Sequence, residues 1–246
     1  MLLIDIGNSR IKTGVAGVGG LREFTPVAWR ERPLAEVWPA VLGALPRQAR
    51  VLVSNVGGPE IATALQAWLA AHWSCAPVLA RVAQDFAGMH TRYEDPSRLG
   101  VDRWLAALAG YHRTRGAVCV VDAGTALTID VVDAAGEHRG GLIAPGLALM
   151  ARSLTERTAH LRIDALQPVT AIATNTIAAI SLGCREAVAG LLRQFAERAE
   201  RELGTAPAWW VTGGEGPVLC ELSTLPLQPA PELVLQGLAL YGEHCA

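Results

Sequence analysis

The segment Leu2-Leu3-Ile4-Asp5-Ile6-Gly7-Asn8-Ser9 is met again, about half a chain later, as Cys119-Val120-Val121-Asp122-Ala123-Gly124-Thr125-Ala126. Each copy is an apolar run of strand length that ends in Asp-x-Gly and small polar residues. Such self-similarity points to one supersecondary unit used twice. A second strand follows each loop, Arg10 to Ala16 in the first copy and Leu127 to Val132 in the second, where Leu127, Ile129 and Val131 alternate. Turn signals at Gly17-Val18-Gly19-Gly20 and Asp133-Ala134-Ala135-Gly136 lead to a third strand in each half. Two successive hairpins therefore open both halves.

Farther along, each half carries an apolar strand running into paired glycines: Val51-Leu52-Val53-Ser54-Asn55-Val56-Gly57-Gly58 and Trp209-Trp210-Val211-Thr212-Gly213-Gly214. Helical spacing places Val101, Trp104, Leu105 and Leu108 on one face of a helix, and Ile177, Ile180, Cys184, Val188 and Leu191 on a face of another. A closing helix is expected over 231–241, with Pro231 in its first turn. The basic residues and glycine of Thr114-Arg115-Gly116 mark the boundary, giving an N-terminal domain over 1–115 and a C-terminal domain over 116–246. The expected class is α/β.

Composition narrows the function. With 51% hydrophobic and 18% charged residues and a net charge of −2 over 246 residues, the chain is neither a disordered tail nor a polybasic nucleic-acid binder. Five scattered cysteines without a C-x-x-C pair suit a reducing cytoplasm better than a disulfide framework. The N-terminus has no signal-like run before Asp5, and the uncharged stretch 165–184 is too rich in Gln, Pro, Thr, Asn and Ser to cross a membrane. Lys12 is the single lysine among 21 basic residues. A position that keeps lysine in so arginine-rich a chain is a candidate for a compact point charge on a phosphate, although a solvated Lys12 is the plainer alternative.

An Asp-x-Gly loop between two strands suits phosphate binding, because glycine permits close backbone approach, Asn or Ser donates to phosphate oxygens, and Asp holds Mg²⁺ directly or through water. One such loop is also an ordinary hairpin turn. Two, at equivalent places in a duplicated α/β pattern, resemble the actin, sugar-kinase and Hsp70 class of ATP-binding folds, with two similar domains around a nucleotide cleft. The segment Tyr93-Glu94-Asp95-Pro96-Ser97-Arg98-Leu99-Gly100-Val101-Asp102-Arg103 reads as a loop entering a helix, with Asp102 and Arg103 in the first helical turn. A carboxylate there can accept a proton from a substrate hydroxyl, and an arginine beside it can hold a carboxylate or phosphate. From periodicity alone, a favourable first-turn acid and a solvated arginine account for the pair more simply than a catalytic role does.

Taken together, DIGNS at Asp5–Ser9, Y-x-x-P-x-x-L-G-V-D-R at Tyr93–Arg103, DAGT at Asp122–Thr125, GGLIAPG at Gly140–Gly146, TNT at Thr174–Thr176 and LVLQGL at Leu233–Leu238 resemble the type III pantothenate kinases, also known as the Bvg accessory factor family. The resemblance implies ATP-dependent phosphorylation of pantothenate, the first step of coenzyme A synthesis, by a cytoplasmic homodimer whose substrate pocket borrows from the partner subunit. It implies a first phosphate loop over Asp5, Ile6, Gly7, Asn8, Ser9, Arg10, Ile11 and Lys12, with Asp5 also reaching Mg²⁺ through water. It makes Asp102 the catalytic base, and gives pantothenate to Tyr93, Gly100, Val101, Asp102, Arg103 and Thr176. Asp122 would hold a monovalent cation, K⁺ or NH₄⁺, with Gly124 and Thr125 touching ATP. Two departures are visible. Ser9 stands where the family commonly has Thr, which keeps the hydroxyl, and Arg162 follows Thr158-Ala159-His160-Leu161 where the family usually has Pro.

Other signals are weaker. The six histidines show no metal-ligand spacing, and the seven tryptophans sit in apolar strands and helices without a basic groove to make a stacking platform. The run Arg193, Glu197, Arg198, Glu200, Arg201 and Glu202 reads as a solvated helix face. Ser9 lacks the G-x-S-x-G setting of a hydrolase nucleophile. Two rivals share the fold: a kinase of another small hydroxylated substrate, and a regulatory accessory protein that binds ATP without turnover.

Overall fold

The computed structural model describes residues 1–155, 166–169 and 171–245, so the Thr158-Ala159-His160-Leu161-Arg162 departure lies outside the described residues. The chain forms two compact units, 1–113 with 232–246 and 114–231.

In the first unit, β1 (Leu2–Ile6), β2 (Arg10–Gly17) and β3 (Gly20–Glu23) are successive antiparallel strands, and β4 (Val27–Ala28) adds to β2. Helix α1 (Leu34–Leu42) leads to β5 (Val51–Asn55), which pairs parallel to β1. After α2 (Pro59–Trp73), β6 (Val78–Leu79) extends the sheet beside β5 in the order β3-β2-β1-β5-β6. All five residues of β1 are buried because both faces of the sheet are covered, which is why its sequence is a run rather than an alternation. Leu2, Ile4 and Ile6 pack with Val51 and Val53 against Val37 and Trp38 of α1 and Ile61, Leu65 and Leu69 of α2. A hairpin of β7 (Asp85–Phe86) and β8 (Met89–Thr91) and a short 3₁₀ turn at Pro96–Arg98 precede α3 (Val101–Thr114).

The second unit repeats the plan. Strands β9 (Val118–Ala123), β10 (Ala126–Val132) and β11 (Glu137–Pro145) are antiparallel neighbours, with a bulge between Val131 and Val132. Helices α4 (Leu147–Thr155) and α5 (Thr176–Leu203) cover one face, packing Val188 and Leu192 against Cys119, Val121, Leu127 and Ile129. Strand β12 (Ala208–Thr212) runs parallel to β9 as β5 does to β1, and after α6 (Gly216–Leu222) β13 (Gln228–Pro229) joins β12. Asn175 caps α5 by accepting the Ala178 N–H at 2.9 Å, and the expected charged run lies exposed along the last turns of that helix.

The closing helix, α7, spans Leu233–His244 rather than 231–241. Pro231 stays outside it, its carbonyl accepting the Thr212 hydroxyl at 3.1 Å, and the helix starts after Glu232. It packs on β1, β2 and β5 of the first unit, where the sequence reading assigns it to the second half. The main chain of Gly237 rides directly on the Leu105 carbonyl of α3, and Tyr241 stacks on Phe86, ring centroids 5.2 Å apart. Among the described residues no helix is long and apolar enough to cross a membrane, and all five cysteines are free thiols.

Candidate active site

The first loop is a tight return from β1 to β2, closed by the Gly7 N–H donating to the Arg10 carbonyl at 3.0 Å. Ile6 and Ile11 face each other at its base and are core residues, so only their main chain is available to a ligand. Asn8, Ser9 and Arg10 are exposed. Asp5 is buried, with Lys12 directly opposite on β2 and Ser54 beside it on β5, which puts the three on one face of the sheet. The ammonium of Lys12 also acts on Glu23. Burial and the charge of Glu232 nevertheless raise the Glu23 carboxyl above its ordinary range, with Lys12 opposing them.

Two residues that no motif marked hold this loop from outside. The Trp29 indole N–H donates to the Gly7 carbonyl at 3.0 Å, and the Arg30 Nε–H donates to the Asn8 carbonyl at 2.8 Å. The Arg30 guanidinium lies 4.7 Å from the centre of the Trp29 ring, a cation–π pair that keeps both donors together.

The start of α3 gathers the Tyr93–Arg103 element. Asp95 accepts the Ser97 N–H at 3.0 Å and the Ser97 hydroxyl at 2.6 Å, so that the 3₁₀ turn is capped and the Asp95 carboxyl is held below its usual range. The Gly100 carbonyl accepts the Trp104 N–H and so begins the helix. Asp102 is half-buried, its Oδ1 accepting the Arg103 N–H at 2.8 Å. Arg103 is 8% exposed, and its Nη1 donates to the Tyr93 hydroxyl at 3.4 Å. A carboxylate oriented by a helix N–H and a largely buried guanidinium on a phenol is an arrangement able to orient a hydroxyl and hold an anion.

In the second unit, the Asp122–Thr125 turn is closed by Gly124 N–H to the Ala126 carbonyl at 3.0 Å. It is braced by two other loops. The Gly146 N–H donates to the Thr125 carbonyl at 3.0 Å, and the Glu215 N–H donates to the Ala123 carbonyl at 2.9 Å. Gly213, at φ +90, lies so close that a Cβ would overlap the Ala123 carbonyl oxygen and stand 2.5 Å from Asp122 Oδ1. Glu215 also bonds through its side chain, Oε2 accepting the Leu147 N–H and Oε1 the Ala148 N–H, each at 3.0 Å. Thr176 opens α5 as an exposed residue next to the Asn175 cap.

The structure thus brings Tyr93, Gly100, Asp102 and Arg103 into one cluster, Asp5 and Lys12 into one cross-strand pair, and Asp122, Gly124 and Thr125 into one turn. Sequence reading missed Trp29, Arg30 and Glu215. Only Glu215 carried a usable signal, an acid directly after a strand and paired glycines. Among the described residues no three His, Cys, Asp or Glu side chains gather as a metal cage. Asp5, a buried carboxylate at the foot of the first loop, is a donor of the kind Mg²⁺ takes, one or two carboxylates beside the phosphates of a substrate.

Comparison with known proteins places the chain by family and fold. Residues 1–198 match the family model described as type III pantothenate kinase. A type III pantothenate kinase of Aromatoleum aromaticum is 38% identical over 100% of this chain and 99% of its own length. Among solved structures, a candidate Baf family transcriptional activator from Campylobacter jejuni superposes with a TM-score of 0.61 at 21% identity, covering 100% of this chain and 99% of the other. A candidate N-acetylmannosamine kinase from Listeria monocytogenes gives 0.50 at 12% identity, with 100% and 99% covered. The fold is that of the actin-like ATPases and sugar kinases. From these matches and the loops that carry its motifs, the chain belongs to the type III pantothenate kinase family.

Proposed function

We propose that the chain transfers the γ-phosphoryl group of ATP to the primary hydroxyl of pantothenate, giving 4′-phosphopantothenate. The observation that carries this reading is the Tyr93–Asp102–Arg103 cluster at the start of α3, which unites a proton acceptor and an anion holder in one helical turn. Arg103 and Tyr93 hold the pantothenate carboxylate, joined by Gly100, Val101 and Thr176. Asp102, its carboxylate oriented by the Arg103 N–H, positions the hydroxyl and takes its proton late in the transfer. Phosphoryl transfer has a loose transition state, so positioning outweighs proton removal in its contribution.

The main chain and polar side chains of 6–11 line the phosphates, and Lys12 supplies a point charge on the Asp5 face. Asp5 is the residue to hold Mg²⁺, through water, and Mg²⁺ when bound offsets charge on the β- and γ-phosphates. Gly124 and Thr125 contact the nucleotide, and Asp122 holds K⁺ or NH₄⁺. The active form is a homodimer in the cytoplasm, a compartment in keeping with five free thiols.

The test is pantothenate-dependent ADP formation with Mg²⁺, with and without K⁺, in the native chain and in Asp102→Asn. The native chain turns over only with pantothenate present and faster with K⁺. Asp102→Asn keeps ATP binding and loses at least about 100-fold in kcat. Near-normal turnover in that variant removes Asp102 from its role, and indifference to K⁺ removes the role of Asp122. No ADP formation with every component supplied overturns the activity itself.

A further inference from the structure

We infer that Glu215 is a positioning residue that sets the geometry of the Asp122–Thr125 turn and, through it, the affinity for nucleotide. The inference rests on the reading of that turn as a nucleotide loop.

Glu215 is placed to act in two directions at once. Its main-chain N–H donates to the Ala123 carbonyl inside the turn at 2.9 Å. Its carboxylate bridges two successive N–H groups, Leu147 at 3.0 Å and Ala148 at 3.0 Å, at the start of α4. These are N–H groups that a helix cannot satisfy internally, and a carboxylate there also meets the positive end of the helix dipole. The residue just before α4, Gly146, donates in turn to the Thr125 carbonyl at 3.0 Å. A closed circuit results: turn to Glu215, Glu215 to α4, and α4 through Gly146 back to the turn.

The circuit has no slack. A Cβ on Gly146 would overlap the Gly124 carbonyl oxygen and lie 2.9 Å from the Thr125 oxygen and 3.2 Å from Glu215 Oε2. On the other side, Gly213 is equally tight against Ala123 and Asp122. Displacement of Glu215 therefore transmits to the carbonyls of Ala123 and Thr125 instead of being absorbed by a gap. Charge matters as well as reach. Two N–H donors face two carboxylate oxygens, so an amide would turn one donor against another.

The chemistry predicts a graded series. Glu215→Ala removes both acceptors, and Glu215→Gln keeps the size and one acceptor. With the full chain, MgATP affinity measured by calorimetry weakens about 10-fold in Glu215→Ala, with a smaller loss in Glu215→Gln, as expected for losing hydrogen bonds to a charged group. KM for ATP rises in the same order, while KM for pantothenate stays put. A purely structural role would instead lower the melting temperature and leave the ATP affinity of the folded fraction unchanged, and that result overturns the inference. Should Glu215→Ala fail to fold, Glu215→Gln decides, with native ATP affinity counting against it. A native chain that binds MgATP but never phosphorylates pantothenate defeats the proposed reaction and leaves the Glu215 effect on ATP affinity to be read as before. A native chain that binds no ATP defeats both.

Discussion

Around Gly7 the carbonyls of the loop are taken by side chains and main chain together: the Trp29 indole on Gly7, the Arg30 guanidinium on Asn8, and the N–H groups of Trp29 on Ser9 at 3.3 Å and of Val56 on Ile6 at 3.0 Å. Around Gly124 they are taken by main-chain N–H groups, Gly146 on Thr125 and Glu215 on Ala123. The two loops share a sequence pattern, a strand frame and a main-chain brace, Val56 on Ile6 matching Glu215 on Ala123, yet the first carries two side-chain clamps besides. Side-chain clamps on long arms adjust through rotamers, whereas main-chain clamps adjust only if neighbouring segments move. The lesson is that both copies of the loop keep a main-chain brace while the first adds side-chain clamps, and the second copy should tolerate change less than the first.

The sharpest break of that comparison is Gly213→Ala beside the second loop. A methyl group there must displace the Ala123 carbonyl and take a positive φ, and urea unfolding should show a loss of about 3 kcal/mol. Next in size is a pH effect confined to the second sheet. Burial first, and then the charge of Asp130, push the Cys119 thiol up to about 12 from an ordinary value of 9.0. The folded chain therefore keeps a proton that the unfolded chain releases. Stability is full below pH 9 and falls as pH rises from 9 toward 12, by about 2 kcal/mol near pH ~10.5. Leu2 stands at the matching place in β1 and cannot titrate. Cys119→Val should flatten the pH slope of the urea midpoint, and an undiminished slope would refute the assignment.

Smaller still is Trp29→Phe, which keeps the ring and deletes the donor to Gly7. It should cost about 1 kcal/mol in the same assay and raise KM for ATP, with KM for pantothenate unmoved. Gly7→Ala should be the mildest, under about 1 kcal/mol, because its Cβ meets only the Arg10 carbonyl, at 3.2 Å. Equal losses in Gly213→Ala and Gly7→Ala would erase the distinction between the loops.

The legible parts of the molecule were those written in local chemistry. Strand periodicity and the Asp-x-Gly turns marked the doubled hairpins, and the Pro96–Gly100 segment placed Asp102 in the first turn of α3. The braces were not legible because their partners are distant in sequence: 22 residues separate Trp29 from Gly7, and 68 separate Glu215 from Leu147. The start of α7 was misread for a related reason. Pro231 is a good first-turn residue by local rules, but its carbonyl is claimed by Thr212, 19 residues earlier.

The last helix belonging to the first unit has a consequence for how the chain is made. Synthesis delivers β1, β2 and β5 first and α7 last, after all of 114–231. The unbroken segment 114–231 can close its core on the ribosome as soon as it emerges. The earlier segment can close only the α1–α2 side of its sheet, since the side carrying Leu3 and Leu52 is without α7 until 233–244 arrive. The first unit is thus expected to finish folding after the second, with the uncovered side of its sheet open to chaperone capture or aggregation until α7 arrives.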